Sequence, residues 1–226
     1  MPAAATETRG AAPRAVALDY NGTLSDDEAL LEEIYLTVLA DAGAPIDAAK
    51  YRAHLRGLTD SAVIREGLRL GGVATPGEQL CSRVLDARRE KYAAAVERRP
   101  TISEEAVAFV RDLAAALPLA VVSGAPRSEV EAGLAVAGIT ADIAVLVTVE
   151  DVRCGKPDPE PYHLAVQRLR ARVEDLAPED VVAVEDAAPG IAAARAAGLR
   201  CASVVPGLGA DLELAGLSLA TASQLR

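Results

Sequence analysis

Ala15-Val16-Ala17-Leu18, followed by Asp19-Tyr20-Asn21-Gly22-Thr23-Leu24, is the stretch that decides how this chain folds. Four small apolar residues in a row read as a short strand buried on both faces, and the polar, glycine-containing run behind them reads as an immediate turn. The strand therefore ends on a carboxylate. In open parallel sheets ligands bind outside the carboxyl ends of the strands, and a carboxylate placed there can attack phosphorus to form an aspartyl-phosphate.

Further along the chain, short apolar runs recur at Leu119–Val122 and at residues 143–147, 181–184 and 201–205. Helix-length segments lie between them at residues 104–116, 128–137, 161–172 and 190–197. Strand and helix in alternation predict an α/β fold, a Rossmann-like parallel sheet with helices on both faces. Residues 26–99 break that pattern. They hold no strand but four helical patterns, at residues 28–42, 48–54, 61–70 and 78–96, punctuated by Gly43, Pro45, Gly57, Gly71-Gly72 and Pro76-Gly77. The economical reading is a core of residues 14–25 and 100–226 carrying an all-helical cap of residues 26–99, hinged near Ser25 and at residues 99–102.

The 226 residues, 51% of them hydrophobic, suffice for such a core with its insertion. Residues 1–13 lack the apolar stretch of a secretory leader and no later run approaches a membrane span, so a soluble, cytoplasmic protein without a membrane partner is expected. A net charge of −10 argues against nucleic acid as a partner, because phosphate contacts need a basic face. Cys81, Cys154 and Cys201 lack zinc or redox spacing and read as idle thiols, and His54 and His163 form no zinc pattern. A monomer or homodimer is expected.

Polar residues cluster where the strands should end. Ser123 follows Leu119–Val122, and Gly124 behind it lets a backbone N–H approach a ligand. Lys156 lies in the turn-rich Gly155-Lys156-Pro157-Asp158-Pro159, and Glu185-Asp186 follows residues 181–184 ahead of Pro189-Gly190. Taken singly, each has an ordinary explanation: a capping turn for Asp19, a helix-start serine for Ser123, a solvated lysine for Lys156 and an acidic turn for Glu185-Asp186. Together they bring a nucleophilic carboxylate, a hydroxyl, a fixed cation and an acid pair to one sheet edge, which suits phosphoryl transfer.

In order and spacing these segments resemble the four motifs of the haloacid dehalogenase superfamily. The helical insertion after the first motif, with Gly155 through Tyr162 and Val184 through Gly198, is similar to its β-phosphoglucomutase and sugar-phosphatase branch. The resemblance implies a phosphatase acting on a small phosphorylated metabolite, possibly a sugar phosphate, through an aspartyl-phosphate on Asp19. Hard oxygen donors without histidine or thiolate favour Mg²⁺. Asp19 and Asp186 are expected as its ligands, with Glu185 on the ion or its waters and, by resemblance, the main-chain carbonyl of Asn21. Lys156, Ser123 and nearby amides, that of Gly124 included, are expected on the phosphoryl oxygens.

Asn21 departs from the pattern, since relatives carry Asp there to protonate the leaving oxygen and later deprotonate water. An amide does neither, and a positioned acid and base contribute about two to four orders of magnitude in rate. Asp26, Asp27, Glu28 and Asp60 are candidate substitutes. The alternatives are a phosphotransferase or phosphomutase, a catalytically attenuated protein that binds phosphorylated ligands, or an engineered Asp-to-Asn change. Leu31 occupies the position of the mutases' cap histidine, Lys50 and Lys91 show no imine-forming motif, and Glu185-Asp186 argues against dehalogenation. Leu55 through Ser61 resembles the cap loop facing the core, which makes Arg56, Thr59 and Asp60 candidate specificity residues; the other reading is a helix N-cap at Thr59, Asp60 or Ser61.

Overall fold

The computed structural model describes residues 12–56 and 58–225; most of the leader reading, at residues 1–11, and the punctuating Gly57 lie outside them. Among the described residues six strands form one sheet: β1 (Ala15–Leu18), β2 (Leu119–Val122), β3 (Val145–Val147), β4 (Val181–Glu185), β5 (Arg200–Ser203) and β6 (Leu212–Glu213). Their order is β3-β2-β1-β4-β5-β6 and every neighbouring pair is parallel. The chain winds outward from β1 in one direction as far as β3, then crosses over to β4 on the other flank of β1. That reversal leaves a crevice beyond the carboxyl ends of β1, β2 and β4, the position at which doubly wound sheets take their ligands.

Side chains alternate across the sheet, so each strand feeds two cores. Val16, Leu18, Val121 and Val184 face α5 (Glu104–Ala114), α6 (Arg127–Val136) and α9 (Leu219–Gln224), around Phe109 and Leu134. Ala15, Ala17, Ala120 and Ala183 face α7 (Glu160–Leu169) and α8 (Ala188–Ala196), which pack with Tyr162 and Ile191. Burying each of the larger side chains contributes about 1.5–3 kcal/mol, whereas the alanines let the second helical layer approach closely.

Between β1 and α5 the chain forms α1 (Glu28–Asp41), α2 (Ala48–His54), α3 (Asp60–Leu70) and α4 (Glu78–Arg98), which enclose an apolar cluster of their own around Leu39, Ile64 and Tyr92. The two connections lie side by side, where Ser25 Oγ donates to Thr101 Oγ1 at 2.7 Å and Asp26 N to the Thr101 carbonyl at 2.8 Å. No helix among the described residues is long and apolar enough to cross a membrane.

Some boundaries differ from the sequence reading. The strand expected at 143–147 keeps only Val145–Val147, because Thr140–Asp142 turns as a 3-10 helix before it. The strand expected at 201–205 is Arg200–Ser203, since the Ser203 hydroxyl turns back on Val205, accepting from its N–H at 3.1 Å and donating to its carbonyl at 2.8 Å. The helix expected at 161–172 stops at Leu169 as the backbone tightens, Arg172 N bonding the Leu169 carbonyl at 2.8 Å. Neither β6 nor α9 is anticipated: β6 has two residues, and α9 has six, too few to show a helical repeat, and is capped by Ser218.

Candidate active site

β1 and β4 pair with Leu18 opposite Val184, so Asp19 and Glu185 leave the sheet edge side by side. Lys156 reaches back from the turn before α7 and ties them together. Its Nζ donates to Asp19 Oδ1 at 2.6 Å and to the Val122 carbonyl at 2.9 Å, and it lies 2.7 Å from Glu185 Oε1. Glu185 also accepts from the Tyr162 hydroxyl, and Lys156 Nζ is 5.3 Å from the centre of the Tyr162 ring. Burial favours the neutral amine, yet Asp19 and then Glu185 override it and hold the ammonium well above the ordinary lysine range. Burial first, and the charge of Asp19 second, push the Glu185 carboxyl up to about 7.

Asp186 completes the acid cluster. Asp19, Glu185 and Asp186 each bring a carboxylate oxygen to within 4.8 Å of the others. Two glycines make the crowding possible. Gly22 takes a positive φ of 79°, and a Cβ there would lie 2.2 Å from Asp186 Oδ2; a Cβ on Gly190 would lie 2.0 Å from the Glu185 carboxylate. Burial and then Asp19 raise Asp186 to about 6. Three carboxylates against one ammonium, with oxygen donors only, match what a hard divalent cation such as Mg²⁺ requires.

Ser123, 5% exposed, stands beside this cluster; its Oγ accepts from Ala125 N at 3.0 Å and donates to Asn21 Oδ1 at 3.4 Å. Nothing would meet a Cβ on Gly124 within 4 Å, so the space over its backbone is open. Asn21 turns its other end inward, Nδ2 donating to Asp27 Oδ2 at 2.8 Å. Asp27 is wholly buried and also accepts from the Tyr92 hydroxyl of α4 at 2.6 Å. Of the four candidate acids near Asn21, Asp27 is the one bonded to it; Asp26 and Glu28 are exposed. Burial raises the Asp27 carboxyl, against the lowering effect of its bonds from Tyr92 and Asn21.

A cavity of about 520 Å³ opens between the insertion and the strand ends, floored by Asn21, Gly124 and Ala125. Arg56, Thr59 and Asp60 all line it, and so does Leu31. Thr59 is also the N-cap of α3 by position, but its side chain makes no capping bond there, while Asp60 lies in the first helical turn. Asp60 accepts from the Tyr35 hydroxyl at 2.5 Å. Sequence reasoning missed Tyr35, Tyr51, Tyr162 and the buried pair of Arg88 on α4 with Glu129 on α6. For Arg88 a signal was present: Val84, Arg88, Tyr92 and Val96 recur every four residues along the buried face of α4, so the arginine occupies a position of the apolar stripe. Cys81, Cys154 and Cys201 are free thiols, and both histidines are exposed.

A family model described as haloacid dehalogenase-like hydrolase matches residues 13–198. Among similar proteins, the validoxylamine A 7'-phosphate phosphatase of Streptomyces hygroscopicus subsp. limoneus is 29% identical over 185 residues, 81% of each chain. The phosphorylated carbohydrates phosphatase of Thermotoga maritima is 30% identical over 189 residues, 82% of each. Among solved structures, a variant of CbbY from Rhodobacter sphaeroides in complex with xylulose-(1,5)bisphosphate superposes with a TM-score of 0.78 at 26% identity, covering 92% of this chain and 96% of its own.

Proposed function

The chain belongs to the haloacid dehalogenase-like hydrolases and is an enzyme of the phosphatase kind, and we propose that it hydrolyses the phosphate ester of a small sugar-like metabolite through an aspartyl-phosphate on Asp19. The observation that carries this reading is Lys156 Nζ held between Asp19 Oδ1 and Glu185 Oε1, at 2.6 and 2.7 Å, on the carboxyl edge of the sheet. The names of its relatives point to the substrate class: validoxylamine A 7'-phosphate and phosphorylated carbohydrates for two phosphatases, and xylulose-(1,5)bisphosphate as the ligand of the solved structure.

Lys156 and the Ser123 hydroxyl are assigned to the phosphoryl oxygens, with the amide of Gly124 beside them. Mg²⁺ would be held by Asp19, Asp186 and the Asn21 carbonyl, with Glu185 on the ion or its waters, and would screen the repulsion between the carboxylates and the incoming phosphate. Asp19 attacks phosphorus as the bond to the leaving oxygen breaks, and that oxygen takes a proton from water to depart as an alcohol; a second water then attacks the phosphorus of the phosphoaspartate, gives up its proton to solvent and restores the carboxylate. Asn21 moves no proton. Held by Asp27 through Nδ2, it offers Oδ1 as a fixed acceptor beside Ser123. Residues 14–25 and 100–226 serve as the catalytic core, and residues 26–99 as a cap that closes over the substrate and excludes water.

Leu31 in the cavity wall offers neither acid nor base, which favours hydrolysis over mutase chemistry. Asn21 favours one second reading, a slow or non-turning phosphate-ligand binder. Phosphate release from a panel of phosphate esters, measured with and without Mg²⁺ for the native chain and for Asp19→Asn, tests the proposal. Metal-dependent release that vanishes in the variant supports hydrolysis; saturable binding with no release supports the second reading; sugar-dependent transfer without net release supports a phosphotransferase.

A further inference from the structure

Helix α4 carries the insertion onto the core, and it does so through buried polar groups. It packs on α6, where Arg88 pairs with Glu129, each 2% exposed. One turn further along the same buried face lies Tyr92, with no exposed surface, and the Arg88 guanidinium carbon stands 5.1 Å from the centre of its ring. Enclosed in this way, the ring presents its hydroxyl as a fixed donor, and that donor is aimed at Asp27 Oδ2, 2.6 Å away.

From Asp27 the hydrogen bonds lead on to the edge of the sheet. Asp27 Oδ2 accepts from Tyr92 and also from Asn21 Nδ2 at 2.8 Å, while its other oxygen is buried with no hydrogen-bond partner. With its NH₂ group given to Asp27, Asn21 turns Oδ1 to the Ser123 hydroxyl at 3.4 Å, and that hydroxyl accepts in turn from Ala125 N at 3.0 Å. Rotating the amide by half a turn would set Oδ1 against a carboxylate oxygen and Nδ2 against a hydroxyl that already accepts, so both bonds of the side chain would be disturbed. The orientation decides what the amide can do. Oδ1 toward the site accepts a hydrogen bond, from Ser123 or from a water, and has none to give a leaving oxygen.

We infer that Tyr92 is a positioning residue for Asn21: acting from the insertion through Asp27, it fixes the amide with Oδ1 toward Ser123, so that docking of α4 on the core sets the acceptor beside the phosphoryl site. The place of that acceptor in the reaction rests on the phosphatase reading; the hold on the amide does not. Tyr92→Phe keeps the ring and removes the donor, and two measurements follow its effect. In NMR of the native chain the side-chain NH₂ signals of Asn21 are identified by their loss in Asn21→Ala; in Tyr92→Phe they are expected to exchange with solvent about tenfold faster or more, while the backbone amides of β1 keep their protection. In phosphate release from phosphate esters with Mg²⁺, Tyr92→Phe is expected to lower kcat about tenfold in the native chain. In the Asn21→Ala background the same change should cost less than about twofold, a non-additivity that lost stability alone does not produce. Unchanged exchange at Asn21, or faster exchange shared equally by β1, overturns the inference, and so does an equal fall in kcat in both backgrounds. Faster exchange confined to Asn21 in a chain that releases phosphate from no ester upholds the inference and removes the phosphatase reading instead.

Discussion

The two walls of the cleft handle charge in opposite ways. On the core wall three carboxylates surround one ammonium, so the site is short of positive charge until a cation and a phosphoryl group arrive. On the insertion wall each arginine among the described residues lining the cavity is paired with a carboxylate, and Arg88 Nε and Asp60 Oδ2 lack hydrogen-bond partners. The difference teaches how the walls divide charge: the strand ends carry more negative groups than the one ammonium beside them balances, while the arginines lining the insertion each already lie against a carboxylate.

The largest effect should come from the unbalanced wall. Asp19→Asn removes the attacking carboxylate and is expected to lower phosphate release by roughly 10⁴-fold or more, with ligand binding retained. Next is the Asn21–Asp27 pair, where the geometry predicts an ordered result. Asn21→Asp alone puts two carboxylates at the 2.8 Å contact, in a site where like charges oppose ionisation, so its gain should stay below about tenfold. Asn21→Asp with Asp27→Asn reverses the pair, keeps the hydrogen bond and supplies the missing acid and base; a gain of about 10² to 10⁴ in kcat is expected. A full gain from the single variant would show that Asp27 does not constrain position 21.

On the balanced wall the expected effect is on stability. Arg88→Met leaves Glu129 buried without its partner and should cost about 3–5 kcal/mol in denaturant unfolding, whereas Arg88→Met/Glu129→Leu, which removes both charges, should recover most of that. If the double variant is as damaged as the single, the pair is not the cause.

The smallest effects are in pH, and they carry opposite signs in the two regions. Burial raises Glu129 to about 7 from 4.5 despite Arg88, so between those values the folded state binds more protons than the unfolded one and stability falls as pH rises through that window. Glu129→Gln should flatten that slope. In the core, Asp151 is held well below the ordinary carboxylate range, first by Arg168, whose Nη2 donates to its Oδ1 at 2.7 Å, and it also pairs with Arg127 at 2.6 Å. Its contribution is present above the unfolded carboxylate pKa of about 3.9 and disappears as pH falls. Asp151→Asn should therefore cost about 1–3 kcal/mol at neutral pH and little in acid, which thermal melts across pH would reveal.

The core was readable because its information is local. A strand of Ala15–Leu18 followed at once by Asp19 needs nothing else to place a carboxylate at a sheet edge, and the parallel order of β1, β2 and β4 then brings Ser123 and Glu185 to the same edge. The family likeness drawn from those motifs agrees with the matching model over residues 13–198. The insertion was readable as helices and much less as a cavity wall. Arg56 and Asp60 were identified from a loop, but that each arginine has its own carboxylate depends on separations of 20 residues for Arg52 and Glu32 and 41 for Arg88 and Glu129, which no local pattern encodes. Asp27 was one acidic residue among several until folding buried it against Asn21 and Tyr92.

The account stands or falls on Asp19 as the group that takes the phosphoryl unit. Rapid acid quench of the native chain during turnover of a hexose monophosphate with Mg²⁺, followed by peptide mass spectrometry, reads this directly. A hydroxylamine-labile phosphoryl group on the peptide carrying Asp19 is the predicted result. Phosphate released at full rate with that peptide unmodified, or with the label on another residue, would contradict it.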